Sequence, residues 1–161
     1  MERFQEARDK SRRYMQAADH MASVTYPLLQ DNKVLVAALE NTFLALTNAM
    51  ASVLHYERTF KRVPPFHDNF ESKFLMFSEK CAKRYGIETQ YLQMMQEIKD
   101  ILLEHKESQM EFSKKDSLVI VNEGYRLRKV SVEQIKNYIA RSKNFVGETE
   151  KIVSKHERIF K

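Results

Sequence analysis

Residues 34–58 read VLVAALENTFLALTNAMASVLHYER, and this stretch decides the fold class. On a 100° helical wheel Leu35, Leu39, Phe43, Leu46, Met50 and Val53 line one broad apolar face, while Ala38, Asn41, Ala45, Asn48, Ala49 and Ser52 line a second face of small residues. A helix with two such faces belongs at the centre of a bundle. Its bulky face packs against large neighbours, and its small face permits close backbone approach by another helix of the same chain or by a partner subunit. Asn41 and Asn48 need hydrogen-bond partners if buried, either as structural links or as ligand contacts.

Working outward, Phe4, Ala7, Ser11, Tyr14, Ala18, Met21 and Thr25 recur at three- and four-residue spacings and predict a first helix over 2–25. Pro27 is expected to close it, because the residue before a proline is pushed out of the helical region. Asp31 or Asn32 then caps the central helix, which runs to about residue 60. Beyond the Pro64-Pro65 segment, Phe70, Phe74, Phe77, Cys81 and Tyr85 mark a third helix, with Gly86 as its stop. Tyr91, Met94, Met95, Ile98, Ile101, Leu102 and His105 lie on one side of a fourth, over 88–106, where methionine reads as gap-filling core.

The helical period breaks over 108–130. Leu118, Val119, Ile120 and Val121 form a β-branched run, Asn122-Glu123-Gly124 supplies turn chemistry, and the alternation from Tyr125 to Val130 completes a small β-hairpin. Arg126 and Arg128 then share a face between which a phosphate could be held. Ser131 and Gln134 form a capping box for the last helix. Its apolar pairs repeat every seven residues: Tyr138 with Ile139, Phe145 with Val146, Ile152 with Val153, and Ile159 with Phe160. That register crosses Gly147 without slipping and predicts one continuous helix on the order of 40 Å long. Such a helix outruns a small bundle, and homodimerisation is the economical way to cover its end. The expected architecture is a single all-α domain, an up-and-down bundle of about five helices: a four-helix core over 1–107, a loop and hairpin over 108–130, and the long helix over 131–161.

Composition narrows the classes. With 161 residues, 43% apolar, 30% charged, and only three Gly and three Pro, the chain is neither collagen-like nor low-complexity nor wholly disordered. The N-terminus is charged from residue 2, which leaves no apolar signal core, and the uncharged stretch 41–56 is too short to span a bilayer. A soluble, cytoplasmic protein with no membrane partner is expected, and the single Cys81 fits a reducing compartment. The net charge of +5 comes from the last third, where residues 106–161 hold 13 Lys and Arg against 8 Asp and Glu. Within 125–143, Arg126, Arg128, Lys129, Lys136, Arg141 and Lys143 stand against Glu133 alone; they form either a candidate nucleic-acid interface or a solvated helix face.

Phosphate-loop, dinucleotide, zinc-protease, paired C-x-x-C and serine-hydrolase signatures are absent from the chain. Its five histidines stand singly and no Glu-x-x-His occurs, so neither a metal nor a cofactor is expected. Arg62 and His67 stand five apart in RVPPFH, and Arg13 and His20 seven apart in RYMQAADH. An arginine that stabilises phosphodiester charge and a histidine that moves a proton are the minimum equipment for metal-independent RNA cleavage.

The alanine-rich central helix following a charged first helix, within an all-helical bundle that should dimerise, resembles the HEPN superfamily of small prokaryotic and archaeal helical domains, over residues 2–107. The resemblance implies a dimer, and in many members an RNase site of the form R-x4-6-H at the dimer interface. Arg62 with His67 fits the short form and Arg13 with His20 the long one. Members place the motif near the start of a late helix, whereas RVPPFH follows the second helix here. The expected function is therefore a non-catalytic dimeric module for protein interaction or assembly. RNA or nucleotide binding through the basic C-terminal third is the alternative, and cleavage by Arg62 and His67 stands behind it.

Overall fold

The computed structural model describes residues 1–108, 110–114, 116–121, 124 and 126–159, of which 110–114 and 156–159 as backbone only. Helix α1 spans Arg3–His20, passes through a π-helical turn, Met21–Thr25, and continues as a short α2, Tyr26–Leu29. Pro27 therefore does not close the first helix, contrary to the sequence expectation. The wide turn puts the Tyr26 N–H on the Met21 carbonyl five residues back, and the proline ring meets a loosened turn where a regular one would clash. The helix ends at Gln30, in the left-handed region at φ 50.

Helix α3, Asn32–Thr59, opens with the Asp31 carboxylate accepting from the Lys33 N–H at 2.9 Å. Both of its faces are filled from within the chain. The small-residue face lies against α1, where the Ser11 hydroxyl donates to the Ala45 carbonyl at 2.7 Å, a contact that only small side chains allow. Asn41 and Asn48 donate to the carbonyls of Ala37 and Leu44, each at 2.8 Å, so both return to their own helix. By length and composition α3 could cross a bilayer, yet Leu35, Leu39, Leu46, Met50, Val53 and Leu54 are all buried in the protein's own core.

Helix α4, Phe70–Met76, is capped by Asn69 and runs into a second π-helical turn, Phe77–Cys81, that sends both Phe77 and Cys81 into the core. Gly86, at φ 65, supplies the left-handed stop that a side chain would resist. Helix α5 spans Thr89–Glu107. Strands β1 (Met110–Lys114), β2 (Ser117–Val121) and β3 (Leu127–Ser131) then form an antiparallel sheet in that order. The expected hairpin is the β2–β3 pair, and the correction is the third strand: MEFSK has no β-branched run and pairs because the edge of β2 is open to it. The turn residues Asn122, Glu123 and Tyr125 lie outside the described residues. Leu118, Ile120 and Val130 turn one face of the sheet to the helices.

Helix α6, Val132–Ile159, is continuous across Gly147 and opens with the expected capping box: Gln134 N–H donates to the Ser131 hydroxyl at 3.1 Å, and Ser131 N–H to the Gln134 side chain at 2.8 Å. Its paired apolar residues, through Ile152 and Val153, are buried against α1 and α3. Up to Val153 this helix is covered by its own chain and does not protrude bare, as the sequence suggested; the Ile159 side chain and Phe160 lie outside the described residues. The result is an all-helical bundle with a small sheet set before the last helix.

Candidate functional site

The chain leaves α3 through Lys61, at φ 57, and turns into the segment that carries the first candidate pair. Arg62 is tied to this turn. Its guanidinium stands 3.7 Å from Glu57 Oε1 and 5.0 Å from the Phe60 ring centroid, while its N–H donates to the Glu57 carbonyl. His67 is exposed further along the loop. Glu57 is fully buried and also accepts from Arg84 at 2.8 Å and from the Tyr85 hydroxyl. Arg62 therefore serves in a buried carboxylate cluster that closes the end of α3. Arg13 and His20 are both exposed on α1, two turns apart.

The basic C-terminal third is dispersed rather than gathered. Arg128 lies on the helix-facing side of β3 and pairs with Glu104 of α5 at 3.0 Å. Arg141 donates to the Gln90 carbonyl at 3.3 Å, and Lys143 pairs with Asp19 of α1 at 2.9 Å. Lys129 and Lys136 are exposed on β3 and α6, and Arg126 precedes β3. Arg126 and Arg128 do not present a shared exposed face, because Arg128 turns inward to close the sheet onto α5.

A concentration of charge that the sequence reading did not single out lies at the other end. A cleft of about 440 Å³ opens between α1, α3, the 63–68 segment and α4. Arg3, Ala7 and Lys10 recur on one face of α1, and Asn48, Ala51, His55 and Arg58 on one face of α3. Ala7 and Ala51 form part of the lining where longer side chains would fill it. Phe66 of the loop sets its ring against His55, centroids 5.6 Å apart. Lys73 of α4 reaches back to Asp68 at 2.5 Å, and Arg58 holds the loop through the Val63 carbonyl at 3.2 Å.

The electrostatics agree with that count of cations. Partial burial, together with the charges of Lys73 and Arg3, pushes the His55 imidazole below its ordinary value, so the neutral ring is favoured. The hydrogen bond and charge of Lys73 hold the Asp68 carboxyl below the usual carboxylate range. The cleft residues of α1 and α3 sit at helical spacing in the sequence and could have been found as two stripes, but those stripes read as solvated faces until the two helices are seen side by side, and Pro65, Phe66 and Asp68 come from a loop with no such period. Among the described residues no group of His, Cys, Asp and Glu is placed to hold a metal ion. The chain matches no protein-family model, no curated protein and no solved structure.

Proposed function

We propose that this chain is a non-catalytic, HEPN-like helical module of the cytoplasm that works by self-association, with a homodimer as its functional form. One observation carries the reading. Leu28 and Leu29 on α2 are 78% and 65% exposed, and Val24, one turn earlier, is 45% exposed. A largely apolar groove of about 340 Å³ runs between the same helix and α3, lined by Ala17, Met21, Thr25, Val34 and Ala37 with His20 and Lys33 also in its lining. Covering a leucine is worth roughly 1.5–3 kcal/mol, so this end of the molecule favours a partner. A second copy supplies one without a further gene product, through an interface in which each groove receives the other's leucines. In this reading Arg62 and His67 have a structural and a solvated role, and the bundle's up-and-down topology serves to present the α2 end.

Mass-resolved chromatography of the full chain tests the proposal. A dimer is expected that dissociates in Leu28→Glu/Leu29→Glu while helicity is retained. A monomeric wild-type chain, or a dimer indifferent to that change, would overturn it. A companion assay on single-stranded RNA should find no cleavage that His67→Ala removes.

A further inference from the structure

We infer that the cleft between α1, α3 and α4 binds the dianionic phosphate group of a small phosphorylated ligand, held by Arg3, Lys10, Arg58 and Lys73 with His55 in its wall. This site is separate from the α2 surface and does not rest on the self-association reading.

The first argument is charge. Four cationic side chains line the cleft against two carboxylates, Glu6 and Asp68, an excess of two that matches a phosphomonoester dianion. Lys73 and Asp68 are paired with each other. Among the described residues, Arg3 and Lys10 are in ion-pair contact with no carboxylate, although elsewhere on this molecule Arg84, Arg128 and Lys143 all are. Like charges gathered in a concave wall repel one another, and a bound anion relieves that repulsion.

The second argument is shape. The guanidinium forks of Arg3 and Arg58 suit bidentate contact with oxyanions, which a scatter of ammonium groups would not offer. The cleft, about 440 Å³, exceeds what one phosphate fills. The remaining space is bordered by the Phe66 and His55 rings and the Asn48 amide, a lining suited to a flat organic group. A polymer is not favoured, because in the C-terminal third Arg128, Arg141 and Lys143 each contact a different element of the chain, Glu104 and Gln90 of α5 and Asp19 of α1, and do not continue the cleft as one track.

Binding also has a signature at His55. Burial first, then Lys73 and Arg3, hold its imidazole below the ordinary value, offset by Asp68, with Glu6, Lys10 and Arg58 the other charged groups of the cleft. A dianion placed there cancels the cationic field and moves the titration upward.

The test is calorimetric titration of the full chain with inorganic phosphate, with phenyl phosphate and with a short single-stranded RNA, alongside NMR titration of the His55 ring. Saturable binding of phosphate is expected, tighter for phenyl phosphate, with the His55 midpoint rising on addition of either. Arg3→Gln and Lys10→Gln, whose side chains make no ion pair or hydrogen bond among the described residues, should each weaken phenyl phosphate about tenfold, while Lys151→Gln on α6 should not. Absence of saturable phosphate binding, equal affinity in Arg3→Gln and the wild type, or binding of RNA alone would overturn the inference.

Discussion

Arg84 donates to Glu57 Oε2 at 2.8 Å, and by this contact a fully buried carboxylate on the central helix takes its counter-charge from the turn that follows the second π-helical segment. The same carboxylate receives the Tyr85 hydroxyl and faces Arg62, so the 60–63 turn and the 84–85 turn both close on one acid at the end of α3. A buried charge is tolerated only where its partners satisfy it, and removing either side of such a pair is costly.

Glu57→Ala should therefore destabilise the fold by about 3 kcal/mol, since it removes hydrogen bonds to a charged group and loosens both the 60–63 turn and the Arg84 turn. Arg62→Ala should cost under about 1 kcal/mol, because Arg62 is half-exposed and stands 3.7 Å from the acid. Urea unfolding of the two variants reads the difference; equal losses would show that Arg62 carries more of the cluster than its geometry implies.

The close approach of α1 to α3 makes a separate prediction. Ala45 is fully buried beneath Ser11, which bonds to its carbonyl. Ala45→Leu should push the helices apart and cost about 1–3 kcal/mol, seen as a lower melting midpoint. If the small face were instead open for a partner subunit, the same change would leave the isolated chain's midpoint unchanged.

Burial pushes the Cys81 thiol up to about 12, with the nearby Glu57 charge adding to the effect and Arg84 opposing it. The native chain should resist thiol reagents at pH 8, and the rate of labelling should follow unfolding. Rapid labelling without denaturant would contradict the packing around the second π-helical turn.

His55 links stability to pH. Its folded titration lies below 6.5, so the unfolded chain binds the proton more readily. The contribution is fully present above pH 6.5 and is lost as pH falls from there through the folded value. This window lies clear of Asp68, whose depressed carboxyl acts below its ordinary 3.8. Urea midpoints between pH 7.5 and pH 5 should fall more in the wild type than in His55→Gln, and matching slopes would remove His55 from the account.

Much of the fold was legible because its signals are local. Asp31, Gly86 and the Ser131–Gln134 box each act within a few residues of their own helix end, and the elements begin and stop where those residues place them. Pro27 misled because a proline's clash depends on the width of the turn before it, which the π-helical turn changes. The strand at Met110–Lys114 has no signal in the sequence, because MEFSK lacks a β-branched run and its pairing is with the edge of β2. Arg62 drew attention by its spacing from His67, and Arg128 by its position in a basic run. Their actual partners, Glu57 and Glu104, are set by packing and not by distance along the chain.

By itself the sequence determined the helical class, the caps, the central place of the Ala-rich helix and the unbroken last helix. These follow from periodicity and from hydrogen bonds that close within a turn or two. Tertiary structure decided that the small face of α3 goes to α1, that the last helix is covered by its own chain through Val153, and that Arg3 and Lys10 meet His55, Arg58 and Lys73 around one cleft. Those outcomes depend on which helices lie side by side, and a stripe of polar residues on one helix carries no information about the stripe that will face it.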